Sequence, residues 1–144
     1  MRNRVVLSHS SDDWATPQFI YYQAVKKGMF DPCPLFSTFD GLSIEWGSSN
    51  FVNPPYSKLK KWVEKSIEQH EKGKSVIMLI PARTDTQAFK MLYEYGSVIN
   101  LITGRLCFND GNKPAPFPCM IVELVGGGFP STTINLIDKD DIVL

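Results

Sequence analysis

Residues 75–80, Ser-Val-Ile-Met-Leu-Ile, form an unbroken apolar run bounded by Gly73 and Pro81. A run of that length suits a strand covered on both faces, and such strands belong to sheets with helices on either side. The flanking segments agree. Residues 57–72 place Leu59, Trp62, Val63, Ser66 and Ile67 on one helical stripe, with Lys58, Lys60, Lys61, Glu64, Lys65, Glu68 and Glu71 on the other faces. Gly73 stops that helix. Thr84 or Asp85 caps a further helix with Ala88, Phe89 and Leu92 inward and Gly96 at its end, and residues 98–102 form the next strand. Nearer the start, Thr16-Pro17 reads as an N-cap followed by proline in the first helical turn. Phe19, Ile20, Tyr22, Ala24 and Val25 fill the next turns up to Gly28. Met29-Phe30 and Phe51-Val52 are short strand candidates, and residues 44–46 a short extended piece. Strands alone follow residue 102, at 104–108, 119–125 and an edge strand at 133–137. The proline-rich loop 109–118 joins the first two as an antiparallel hairpin. The expectation is one three-layer α/β domain over residues 1–144, mostly parallel with an antiparallel end. It carries a polar arm at 1–13 and a tail or edge strand at 126–144.

Several function classes drop out on composition. No apolar run reaches the roughly 20 residues of a membrane span. The basic start, Arg2 and Arg4, precedes too short an apolar stretch for a secretory signal, so a cytoplasmic location is expected. Cys33, Cys107 and Cys119 are widely spaced without a Cys-x-x-Cys pair, and only His9 and His70 could add imidazole. Neither a disulfide framework nor a metal site is indicated, and these five read as small buried thiols and solvated histidines. The 15 basic and 15 acidic residues cancel, unlike a strongly basic nucleic-acid binder. Glu123, Asp138, Asp140 and Asp141 stand against Lys139 in the last stretch, which leaves the rest mildly basic. That balance permits salt-sensitive phosphate contacts. Gly73-Lys74-Ser75 is no phosphate-binding P-loop: Glu68 holds the place of its first glycine, and a strand follows where a helix should. Gly126-Gly127-Gly128 opens no helix and is a flexible break.

The chemistry concentrates in Asn53-Pro54-Pro55-Tyr56, between the apolar pair Phe51-Val52 and the helix at 57–72. Open α/β sheets bind ligands at such strand ends. Asn53 offers an acceptor and a donor from one side chain. The two prolines fix their own φ angles and bias the residue before each. An Asn53 oxygen and the Pro54 carbonyl, both held stiffly, suit a planar amino group with two protons to donate. Tyr56 offers a face for a base, a contact worth about 1–3 kcal/mol. The plainer reading is a rigid turn with an aromatic plug.

This motif resembles that of S-adenosylmethionine-dependent amino-group methyltransferases, and the whole chain is similar to the small phage-type DNA N6-adenine methyltransferases. The signs are Asp13-Trp14-Ala15-Thr16-Pro17, Phe30-Asp31-Pro32-Cys33, Asp40-Gly41-Leu42 with Trp46, the central motif, Pro81-Ala82-Arg83-Thr84-Asp85-Thr86, and Gly104-Arg105-Leu106-Cys107-Phe108. The resemblance implies a minimal Rossmann-like methyltransferase sheet. It implies methyl transfer from S-adenosylmethionine to adenine N6 of a flipped base in DNA, with Asn53, Pro54, Pro55 and Tyr56 at the reaction. Trp14, Thr16, Pro17, Asp31, Pro32, Cys33 and Asp40 would contact the cofactor, with Asp31 toward its ammonium end. Glycines that usually follow the Asp-Pro are absent. Lys58, Arg83 and Arg105 would meet substrate, although a solvated lysine or a structural ion pair fits the same residues. No metal or membrane is implied. Similar motifs act on RNA adenine or protein glutamine, and a non-catalytic binding module or a purely structural domain also remains open.

Overall fold

The computed structural model describes residues 14–109, 111, 114–128 and 130–144. The expected arm, residues 1–13 with His9 and Asp13, lies outside the described residues, as do Asp110, Asn112, Lys113 and Phe129. In chain order the elements are α1 (Gln18–Lys26), β1 (Ser49–Val52), α2 (Leu59–Glu71), β2 (Ser75–Pro81), α3 (Gln87–Tyr95), β3 (Ser97–Thr103), β4 (Cys119–Leu124) and β5 (Thr133–Asp138). A 3₁₀ turn, Tyr56–Lys58, leads into α2. The strands make one five-stranded sheet in the order β1-β2-β4-β3-β5. β1 runs parallel to β2 and β3 parallel to β5, whereas β4 is antiparallel to both β2 and β3.

Period-two alternation divides the sheet's side chains between two cores. Val76, Met78 and Ile80 of β2 and Met120 and Val122 of β4 pack with Trp62 and Val63 of α2 and with Ala88 and Leu92 of α3. Leu79, Cys119 and Ile121 join the opposite cluster with Ile20 and Ala24 of α1, Leu106, Phe108, Phe117, Ile142 and Leu144. Burying each such aliphatic side chain contributes about 1.5–3 kcal/mol. The result is the three-layer, Rossmann-like α/β fold that the sequence implies, with one topological difference. The antiparallel strand stands inside the sheet, between β2 and β3, and not at its end.

Other local expectations shift for physical reasons. Residues 104–108 are not a strand. Gly104 turns the chain at φ +86°, and Leu106 and Phe108 are buried from a loop. β3 itself therefore pairs with β4 across the whole connection. Residues 44–46 also leave the sheet: Trp46 is buried, its ring N–H donating to the Gly41 carbonyl at 2.7 Å. Met29-Phe30 shrinks to a single parallel bridge, Phe30 to Asn50. Thr86, not Thr84 or Asp85, caps α3, its hydroxyl accepting from the Phe89 N–H. Of the expected α1 stripe only Ile20 and Ala24 are buried, while Phe19, Tyr22 and Val25 are exposed. His70 is half-buried against the Tyr95 hydroxyl at 2.6 Å rather than solvated, and of the cysteines only Cys119 is fully buried. Gln69, which carried no sequence signal, is fully buried and accepts the Trp46 N–H at 2.9 Å.

Candidate active site

The parallel bridge from Phe30 to Asn50 sends two segments off the same edge of the sheet, one beginning at Asp31 and the other at Asn53. The stretch before α1 lies against both. Together they line a cleft of Trp14, Ala15, Thr16, Asp31, Cys33, Pro34, Leu35, Phe36, Asn53 and Pro55. Its cavity volume is about 90 Å³, and all the empty space in it, open solvent included, comes to about 470 Å³.

Asn53 is oriented by what surrounds it. Its Nδ2 donates to the Trp14 carbonyl at 2.5 Å and to Thr16 Oγ1 at 3.0 Å. A carbonyl only accepts, so the amide edge facing Trp14 must be the NH2. The opposite edge, Oδ1, is buried and has no hydrogen-bond partner among the described residues. Leaving a buried acceptor unsatisfied costs about 1–3 kcal/mol, and this one belongs to a residue that lines the cleft. Thr16 is diverted by this contact: Pro17 takes the N-cap position of α1, and no side chain caps that helix. Pro54 is buried beneath the site, and Pro55 is extended at ψ 134° before the 3₁₀ turn.

Tyr56 sits differently from its expected place. Its ring stacks on Trp14, with centroids 6.4 Å apart at 17°, and meets the edge of Phe117 at 5.0 Å and 84°. The aromatic residues lining the cleft are therefore Trp14 and Phe36, with Tyr56 behind Trp14. The Tyr56 hydroxyl is buried without a partner among the described residues. Burial, and secondarily the neighbouring Cys119, hold its pKa far above the ordinary phenol range. Burial likewise pushes the Cys119 thiol up to about 12.

The loop that lacks the usual glycines is shaped by other means. Asp31 Oδ1 accepts the Cys33 N–H at 2.9 Å, closing a turn around the buried Pro32. The glycine serving this loop is Gly41. A Cβ there would lie 1.9 Å from the Pro32 carbonyl oxygen and 2.7 Å from the Trp62 ring. Asp40 is spent locally: its two carboxylate oxygens take the Leu42 N–H at 3.0 Å and the Ser43 hydroxyl at 2.7 Å. It is exposed and does not line the cleft.

A family model of DNA N-6-adenine-methyltransferases (Dam) matches residues 4–119. The chain belongs to that family. A DNA N-6-adenine-methyltransferase of Escherichia phage T1 is 31% identical over 120 residues, covering 72% of this chain and 50% of that protein. The chain thus spans about half the length of the curated relative it matches. A solved structure of a predicted O-methyltransferase from Agrobacterium tumefaciens is similar with a TM-score of 0.44 at 17% identity, over 72% of this chain and 50% of that one.

The remaining candidates of this Dam family member lie outside the cleft lining. Lys58 and Arg83 are exposed, and Arg83 makes no ion pair among the described residues. Arg105 donates to the Ala115 carbonyl at 3.1 Å. With Pro17, Phe19, Cys107 and Lys139 it borders a second, more open hollow. Among the described residues no group of three or more His, Cys, Asp or Glu is placed to hold a metal, and no helix is long and apolar enough to cross a membrane. Sequence reasoning missed two residues. Phe36, in the cleft wall, is left-handed at φ +55° and 54% exposed, an uncommon state for a bulky residue. Asn109 is left-handed as well, at φ +58°, and bonds to Ala15. Contacts between residues so far apart leave no local pattern to read.

Proposed function

We propose that this domain transfers a methyl group from S-adenosylmethionine to the exocyclic N6 of adenine in DNA, with the base flipped out of the stack. The observation that carries the reading is the Asn53 side chain in the wall of a cleft at the strand edge, its NH2 spent on Trp14 and Thr16 and its buried Oδ1 without a partner among the described residues. The lining suits the cofactor: an Asp31 carboxylate for an ammonium group, the polar turn at Asp31 and Cys33, and the flat Trp14. When bound, the cofactor supplies an electrophilic methyl group. The chain's own work is orientation. Asn53 Oδ1 accepts a hydrogen bond from one N–H of the adenine amino group and the Pro54 carbonyl one from the other, which draws the nitrogen lone pair out of conjugation with the ring. The amino nitrogen would take this methyl from the cofactor, held beside Asp31 and Trp14, and would release one proton to solvent. Correct placement of reactants can remove about 7–11 kcal/mol of barrier. Flipping costs a few kcal/mol, offset in part by an aromatic contact with Trp14 backed by Tyr56. Exposed Lys58 and Arg83, with Arg105 beside the second hollow, supply phosphate contacts, so affinity falls with salt.

The test is methyl transfer with methyl-labelled S-adenosylmethionine and adenine-containing DNA, followed by digestion and quantification of N6-methyladenine. Label in N6-methyladenine that vanishes in a folded Asn53→Ala variant supports the reading. Cofactor binding without label in DNA redirects it to RNA adenine or protein glutamine. Absence of cofactor binding replaces it with a non-catalytic binding module or a structural domain.

A further inference from the structure

Trp14, Ala15 and Thr16 form a strap across the cleft, and it is held from both sides. On one side stands Asn53, whose NH2 takes the Trp14 carbonyl and the Thr16 hydroxyl. On the other stands Asn109. Its Oδ1 accepts the Ala15 N–H at 2.6 Å, and its own backbone N–H donates to the Ala15 carbonyl at 3.0 Å. Both backbone groups of Ala15 thus bond to one residue, and Ala15 is 3% exposed. Two bonds to a buried residue fix its rotation as well as its position.

The left-handed backbone of Asn109 makes this possible. At φ +58° the chain turns so that side chain and N–H meet the same partner. Asparagine, aspartate and glycine adopt this region far more readily than other residues. The position therefore needs two things at once: a residue that tolerates the conformation, and a side-chain oxygen at the right reach.

We infer that Asn109 is a positioning residue for methyl transfer, acting through the strap on Asn53. By fixing Ala15 it sets the Trp14 carbonyl before it and the Thr16 hydroxyl after it. Those two acceptors orient the Asn53 amide, and so set where its Oδ1 stands in the cleft wall. The inference rests on the proposal that Oδ1 receives the substrate amino group. It adds that the position of Oδ1 is set from the connection between β3 and β4, well away in sequence from the central motif. Asn109 also opens the proline-rich part of that connection. The Ala115 N–H to the Leu106 carbonyl at 2.7 Å and the Arg105 contact to the Ala115 carbonyl tie down its far side. Asn109 is thus bonded to the reacting edge, and Ala115 to Leu106 and Arg105.

The test compares wild type with Asn109→Gly and Asn109→Asp. Glycine keeps the left-handed backbone and removes the side-chain oxygen. Aspartate keeps an oxygen acceptor for the Ala15 N–H. A displacement of the order of 1 Å at a reacting group costs about 100-fold in rate. Asn109→Gly is therefore expected to lower kcat by about that factor while KM for DNA changes little. Asn109→Asp is expected to restore most of kcat. Hydrogen exchange at the Ala15 amide and the NMR positions of the Asn53 side-chain NH2 are measured on the same proteins. Both are expected to change in the glycine variant and to return in the aspartate variant. Wild-type kcat in Asn109→Gly overturns the inference, as does an aspartate variant that falls as far as the glycine one. If wild type itself methylates no DNA, the proposed reaction is what has failed. The Asn53 resonances then decide the positioning role: a shift reversed by aspartate sustains it, and no shift overturns it.

Discussion

Thr16→Val isolates the bond that orients Asn53. Thr16 is 8% exposed, and its Oγ1 accepts from Asn53 Nδ2 at 3.0 Å. It does not cap α1, so valine, of similar shape, removes that contact and leaves the helix start intact. A hydrogen bond of this kind is worth about 1 kcal/mol net. For a chain of this size that lowers Tm by about 3–4 °C. The Trp14 carbonyl still anchors the amide, so the loss appears as looser orientation. The expected fall in kcat is about fivefold, the rate equivalent of ~1 kcal/mol. The assay is a double-mutant cycle in urea with Asn53→Ala, read beside methyl-transfer rates. With the donor gone, Thr16→Val should cost almost nothing, giving a coupling near 1 kcal/mol. Equal losses in both backgrounds would show that the two side chains do not interact and would refute the orientation argument.

Two further outcomes follow from the same neighbourhood. Gly41→Ala drives a Cβ into the Pro32 carbonyl oxygen, so backbone must shift. An overpacking loss of about 1–3 kcal/mol is expected by urea denaturation, together with weaker S-adenosylmethionine binding by calorimetry. Glu45 accepts from Lys72 at 2.7 Å and Lys74 at 3.0 Å, and these hydrogen bonds with that of Gln69 lower its pKa from 4.5 to about 2. A depressed carboxylate stabilises the fold above its unfolded pKa and loses that contribution as pH falls through the folded one. Stability should therefore drop between about 4.5 and about 2. Glu45→Gln should flatten that slope in thermal melts, and added salt should shrink it because the pair is exposed.

The sequence carries the layers well because they rest on local periodicity. The apolar run of β2, the stripe of α2 and the Asn53 motif at a strand end all stand where the pattern puts them. Periodicity has no access to what long-range packing decides. Leu106 and Phe108 alternate like strand residues, yet they drop into the core from a loop because Gly104 turns the chain out of the sheet. The Tyr56 ring reads as a base platform but is taken up by Trp14 and Phe117, residues distant in sequence. Thr16 looks like a helix cap until Asn53 competes for its hydroxyl. Asp40 looks free for a ligand until its own turn claims both oxygens. Within the site, the motif and the turn at Asp40-Gly41 were legible, while Asn109 and Phe36 were not.

The internal place of β4 constrains how the molecule comes into being. β1 with β2, and β3 with β5, are two half-sheets that touch only through this one strand. β4 pairs Ile77 with Glu123 on one side and Val98 with Glu123 on the other. During synthesis, at about 5–20 residues per second, the first half-sheet and the Asn53 motif emerge early but have no neighbour to lean on. Only when β4 and β5 have left the ribosome can the two halves zip together. A chain truncated at residue 103 should therefore be sensitive to protease, and the full chain should resist it.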